Sequence, residues 1–171
     1  MKKLLQQIDN NGERWLLLIF YSTIVITISM EVIWRFVFSY SSIWGEEVAR
    51  YAFIYLAWIG ASAAVRDRAH IRIDVLLHYL PQRGKAFIYL FGDVATMFLA
   101  VIALYWSVHP VLISIEFGSV THGLGISKGW FLAAVPIGFS LMLFRLVQSI
   151  KRDFSDLVNG NKVFEGNRLF D

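Results

Sequence analysis

The sequence contains no cysteine, so disulfides, thiolate metal sites and thiol nucleophiles are excluded from the chain itself. Charge is scarce as well. Only 17% of residues are Asp, Glu, Lys or Arg and 57% are apolar, against about 25% and roughly 45–50% in ordinary globular domains. The charges gather in clusters and leave long stretches with none. That segregation marks an integral membrane protein. Proline is rare, and the first three apolar runs have none inside them. No basic stripe carries interleaved aromatics, so nucleic-acid binding has nothing to rest on. No phosphate-cradling glycine loop is present either.

What is there is a set of four apolar runs. The expected spans are 15–38, 47–65, 86–108 and 130–150, each close to the roughly 20 residues that cross a hydrocarbon core. Lys2 and Lys3 precede the first run as in a signal peptide. However, that run starts only at Trp15, is too long and lacks a small-x-small cleavage site, so it reads as a retained span. Residues 71–81 alternate apolar side chains with Arg72, Asp74 and His78 and stop at Pro81. Too short to cross, they are expected to lie in the interface plane. Residues 1–14 read as a short interfacial helix or frayed tail, 109–129 as a loose loop, and 151–171 as a loosely held tail. The fold class expected is an all-α integral membrane protein, one membrane domain over 1–171. It has four transmembrane helices and an amphipathic segment between the second and third.

Lys and Arg set the orientation. Thirteen fall in the N-terminal tail, the 66–85 connection and the C-terminal segment, against two, Arg50 and Lys128, in the opposite connections. Both termini are therefore expected in the cytoplasm. Trp15, Trp34, Trp44, Trp106 and Trp130 sit near span ends as an aromatic belt would. Trp58, near the middle of the second span, reads as a packing residue.

The densest charges flank the second span. Glu46 and Arg50 are four residues apart and Glu47 and Arg50 three, so both carboxylates can reach one guanidinium. Glu31 and Arg35 repeat the four-residue relation. Two readings stand: local neutralisation, or groups that hold another polypeptide or a phospholipid headgroup. Asp93, about two turns into the third span, fits an ion pathway, a bond to a partner chain or a pair with Arg66 or Arg68, with the intrachain pair favoured. Arg145 is placed to snorkel. The small residues Gly60, Ala61, Ser62, Ala63 and Ala64 allow close approach of a helix, from this chain or another.

Catalytic and cofactor readings find little support. His70, His78, His109 and His122 fall in loops or at span ends, not facing each other within spans as haem ligands would. No two histidines lie four apart for a metal. No charge falls near a midplane, and the one expected kink is at Pro136 and Gly138. What remains is a four-helix protein with charged edges that assists a larger one. A self-sufficient four-helix transporter or channel is the competing reading.

The order Trp44, Glu46-Glu47, Arg50, an aromatic-rich span, then Arg66, His70, Ile71, Asp74 and Leu80-Pro81 resembles the small membrane subunit, DctQ type, of tripartite ATP-independent periplasmic (TRAP) transporters. The resemblance covers most of the chain and is most similar to the small subunits of sialic-acid systems. It implies a non-catalytic scaffold in a bacterial inner membrane. The implied partners are a large elevator-type membrane subunit, driven by sodium ions bound on that subunit, and a periplasmic protein that delivers an organic acid. It implies no cofactor in this chain. Carried over position by position, Glu46, Glu47, Arg50, Arg66, His70 and Asp74 match the family's polar pattern.

Overall fold

A computed structural model describes residues 2–68 and 81–159. Four helices make up most of it: α1 Lys2–Val37, α2 Ile43–Arg66, α3 Gln82–Glu116 and α4 Gly129–Asn159. All four contain a stretch long and apolar enough to cross a membrane, so the chain is a multi-pass membrane protein. The expected segment 71–81 lies outside the described residues except for Pro81, as do His70, Asp74 and His78.

Each helix begins or stops for a local reason. α1 ends where Ser39 turns left-handed at φ 52° and the Tyr40 amide bonds back to the Trp34 carbonyl at 3.1 Å. That bond spans seven residues, one more than the usual six-residue closure of a helix C-terminus. Ser42 then caps α2, its hydroxyl accepting from the Gly45 amide at 3.2 Å. α2 closes at Asp67 and at Arg68, which stands at φ 53°. α3 ends on Gly118 at φ 56°, with the Ser119 amide reaching the Ser114 carbonyl.

All four helices run further than the apolar runs imply, α2 starting at Ile43 where the expected span starts at 47. α1 is continuous from Lys2, with no separate interfacial helix over 1–14. α3 continues through Pro110 to Glu116, so the loop expected from 109 begins only at Phe117, and His109 lies within a helix. Proline removes one internal hydrogen bond, yet the helix persists around it. α4 continues to Asn159, and Asp153, expected in a loose tail, is fully buried.

The helices form a layer. α1 lies against α2, α2 against α4, and α4 against α3; these are the extensive pairings among the described residues. α2 and α4 therefore run parallel in the middle while α1 and α3 flank them. The connection 117–128, pinned by an isolated bridge between Val120 and Ser127, returns the chain to the inside position. Contacts in the layer rest on small side chains, as expected where lipid removes the hydrophobic drive between helices. Ala49, Ala52, Ala100 and Ala134 are buried, and Val65, Ala100, Met142 and Leu146 form the main apolar cluster. Gly138 accepts the indole of Trp58, which packs on Phe139 at a centroid distance of 4.7 Å.

Candidate functional site: polar clusters at the two ends of the layer

Charged side chains converge at both ends of the layer. At the end carrying the termini, Glu13 of α1 is 6% exposed. Arg145 of α4 donates to its Oε1 at 2.8 Å, and Ser62 of α2 donates to the same oxygen at 3.3 Å. Arg66 stands 3.5 Å from its Oε2 and also donates to Asp67 at 3.2 Å. Three helices are thus joined through one carboxylate. Arg145 does not snorkel. It is 7% exposed, with its Nη1 on Gln148 at 2.8 Å.

A second cluster lies beside it. Arg68 donates to Asp153 and lies over the ring of Tyr89 at 4.5 Å, a cation–π contact. Arg152 Nε is 3.7 Å from Asp153. Asp93 is within electrostatic reach of Arg152 and Asp153, with its Oδ2 buried and without a hydrogen-bond partner. No ion pair joins Asp93 to Arg66 or Arg68 in the described structure; α4 supplies its cationic neighbour instead.

At the opposite end, the two adjacent glutamates have separate tasks. Successive helical residues point about 100° apart, so Glu46 and Glu47 cannot share a face. Glu46 pairs with Arg50 on the outside, both exposed. Glu47 turns inward and accepts the amides of Gly123 and Leu124, each at 2.9 Å. It fastens the 117–128 connection to α2 and does not reach Arg50. Gly123 is required there because a Cβ would lie 2.9 Å from the Ile43 carbonyl oxygen. Glu31 and Arg35 likewise do not pair with each other: Glu31 accepts from Ser42, and Arg35 donates to Ser41 at 3.3 Å. Both bonds tie α1 to the start of α2. Trp44 packs edge-on against Trp34 at 5.8 Å.

Glu13, Ser42 and Asp153 are organising residues that sequence patterns do not single out, and Ser62 and Arg145 join them in roles other than the small-residue and snorkelling ones their positions suggest. Their one signal is that a lone polar side chain beside an apolar run needs a partner, and the sequence does not say which. Among the described residues no group of three His, Asp or Glu side chains is placed to hold a metal ion. A groove of about 580 Å³ along α3, from Val101 to Leu112, is lined by that helix alone and is surface relief rather than a chamber between helices.

Comparison with known proteins places this geometry. The profile of the family described as tripartite ATP-independent periplasmic transporters, DctQ component, matches residues 24–156. The sialic acid TRAP transporter small permease protein SiaQ of Vibrio cholerae is 24% identical over 148 residues, covering 86% of this chain and 84% of that protein. The sialic acid TRAP transporter permease protein SiaT of Haemophilus influenzae is 30% identical over 142 residues, 82% of this chain but 22% of the relative. The isethionate TRAP transporter permease protein DctMQ of Oleidesulfovibrio alaskensis is 25% identical over 149 residues, 84% of this chain and 24% of the relative. The chain thus spans about a quarter of the length of those two larger permeases. It belongs to the DctQ-component family, the small permease subunits of tripartite ATP-independent periplasmic transporters.

Proposed function

We propose that this chain carries no substrate itself. In this reading it is the static scaffold beside which a large permease subunit performs an elevator motion, powered by sodium bound on that subunit. The observation that carries the reading is the single layer α1–α2–α4–α3. A layer one helix thick encloses no path, and Glu13, Arg145, Arg68, Asp153 and Glu47, turned into it, are engaged with one another or with backbone amides at its two ends. Such a structure suits support, because charge clusters and tryptophans at both rims resist displacement along the bilayer normal. The chain is read as non-enzymatic and without a cofactor of its own.

The assembly proposed has the large membrane subunit, a periplasmic binding protein that delivers the substrate, and surrounding phospholipids. The substrate is an organic acid, with sialic acid one instance. The relatives' names include sialic acid, isethionate and C4-dicarboxylates, a variety that suits a subunit remote from the substrate. The bacterial inner membrane with both termini in the cytoplasm is the location supported by the thirteen-to-two distribution of Lys and Arg.

Mild-detergent purification of the tagged chain from its native membrane, followed by flux assays in vesicles, tests this. The expected result is a stoichiometric large membrane partner and no flux from the isolated chain. Sodium- or solute-dependent flux from this chain alone would overturn it in favour of a self-sufficient transporter.

A further inference from the structure

One face of α2 does not look like a lipid-facing surface. Glu46, Arg50, Phe53 and Ala57 are its exposed residues below Gly45; Gly60 and Ala64 continue the same stripe, half-buried, with Gly60 turned towards Leu17 of α1. The spacing of four, three, four, three and four residues keeps all six on one side of the helix. The other three helices expose large apolar side chains along their length, such as Ile26 and Ile33 of α1, Phe98 and Ile102 of α3, and Phe144 and Val147 of α4. On α2, between Gly45 and Arg66, Phe53 is the one exposed large apolar side chain. α2 is also the least apolar of the four spans.

The ion pair adds a second, independent argument. At 1.5 Å per residue, Arg50 lies about 10 Å along the axis from Ile43. It is roughly a turn and a half below the level set by the Trp34–Trp44 contact. The headgroup zone on each side is only about 5–8 Å deep, so the Arg50 backbone stands at the edge of the hydrocarbon, while its exposed guanidinium reaches back one turn to Glu46 and the pair is left uncovered by this chain. Charged groups at such depth face protein or water. Helices in lipid associate through small residues and polar contacts, and this stripe offers both.

Resting on the reading of the chain as a small permease subunit, we propose that the outward α2 face carrying Glu46, Arg50, Phe53 and Ala57 is where a transmembrane helix of the large permease subunit docks. The helix presents a cationic or donor group opposite Glu46 and an acceptor opposite Arg50. The broad apolar faces of α1 and α3 are left to lipid. Continuity with the longer relatives fits: there the matched segment is joined in one chain to roughly three times its own length of further permease.

The chain has no cysteine of its own, which makes single-cysteine photocrosslinking in the native membrane clean. Cysteines placed at Phe53 and Ala57, with comparison sites at Ile26, Ile102 and Phe144, would each carry a benzophenone label. Capture of the large subunit from the α2 sites is the expected result. Capture only from the comparison sites, or from none while the large subunit still co-purifies, overturns the docking face and leaves the subunit reading intact. Absence of any co-purifying large subunit overturns both. A second variant exchanges the charges, Glu46→Arg with Arg50→Glu, which preserves a neutral pair on the helix. If partner groups read the charges, the complex weakens on the order of tenfold while the isolated chain keeps its helix content. Unchanged association means local neutralisation or lipid contact, and overturns the proposal.

Discussion

Glu13 and Arg145 stand 132 residues apart in sequence and 2.8 Å apart in space, both nearly closed to solvent. This contact joins one flank of the layer, α1, to the inner helix α4. It brings α1 to α4, which otherwise meet α2 on different sides, and Ser62 of α2 adds its hydroxyl to the same carboxylate oxygen. Removing one member of a buried pair is worse than removing both, because the survivor keeps its charge and loses its compensation. Glu13→Gln is therefore expected to destabilise the detergent-solubilised chain by about 3–5 kcal/mol. Glu13→Gln with Arg145→Met should lose clearly less than the sum of the two single changes. Thermal unfolding followed by helix content measures it, and strict additivity would break the assignment.

The four apolar runs and the end of α2 at Arg66 were legible in the sequence because each is a local property of composition, whereas the start of α2 at Ile43 fell within what reads as a polar turn. The extension of α1 back to Lys2 was not legible either, since the polar residues 1–14 read as a separate interfacial helix or a frayed tail. What that reading misses is the buried attachment of Glu13 to helices far away in sequence. α3 continuing through Pro110 and α4 running on to bury Asp153 have the same character. The motif around Glu46 and Glu47 was visible, but its division of labour depends on the position of Gly123 and Leu124 and so on the order of helices in the layer. No periodicity in the sequence encodes that order.

Glu47 is expected to govern the 117–128 connection. It accepts two amides at 2.9 Å, and hydrogen bonds to a charged group contribute about 1.5–3 kcal/mol each. Glu47→Ala should release both amides, so that hydrogen exchange at Gly123 and Leu124 accelerates while the α1–α2 junction at Ser42 stays protected. Glu47→Gln, which keeps acceptor capacity without charge, should fall between. Exchange at those amides that stays at its original rate in Glu47→Ala would show that the Val120–Ser127 bridge alone holds the segment.

Gly138 is expected to tolerate no side chain. A Cβ there would lie 2.5 Å from the Cβ of Trp58 and 3.0 Å from its Cγ. Overpacking of this kind costs about 1–3 kcal/mol, so Gly138→Ala should lower the unfolding temperature. Because the nearest clash is with the Cβ itself, Trp58→Ala should fail to rescue Gly138→Ala, whereas Trp58→Gly should partly rescue it. Full rescue by Trp58→Ala would place the conflict in the indole ring instead.

Asp153 offers a test at the other end of α2. It is fully buried, bonded to Arg68 and 3.7 Å from Arg152. Arg68 is itself 6% exposed and held over Tyr89. A buried guanidinium is inaccessible to trypsin, so the intact chain should resist cleavage after Arg68. Asp153→Ala removes the carboxylate, and leaving the cation in place without it is strongly unfavourable, by about 3–5 kcal/mol in comparable sites. The side chain is then driven towards water, and tryptic cleavage after Arg68 should appear at concentrations that spare the native chain. Asp153→Asn keeps an acceptor of the same shape and should be cut more slowly than Asp153→Ala. If both variants resist trypsin as the native chain does, then Tyr89 and the backbone turn at Arg68 hold this corner, and Asp153 is not its anchor.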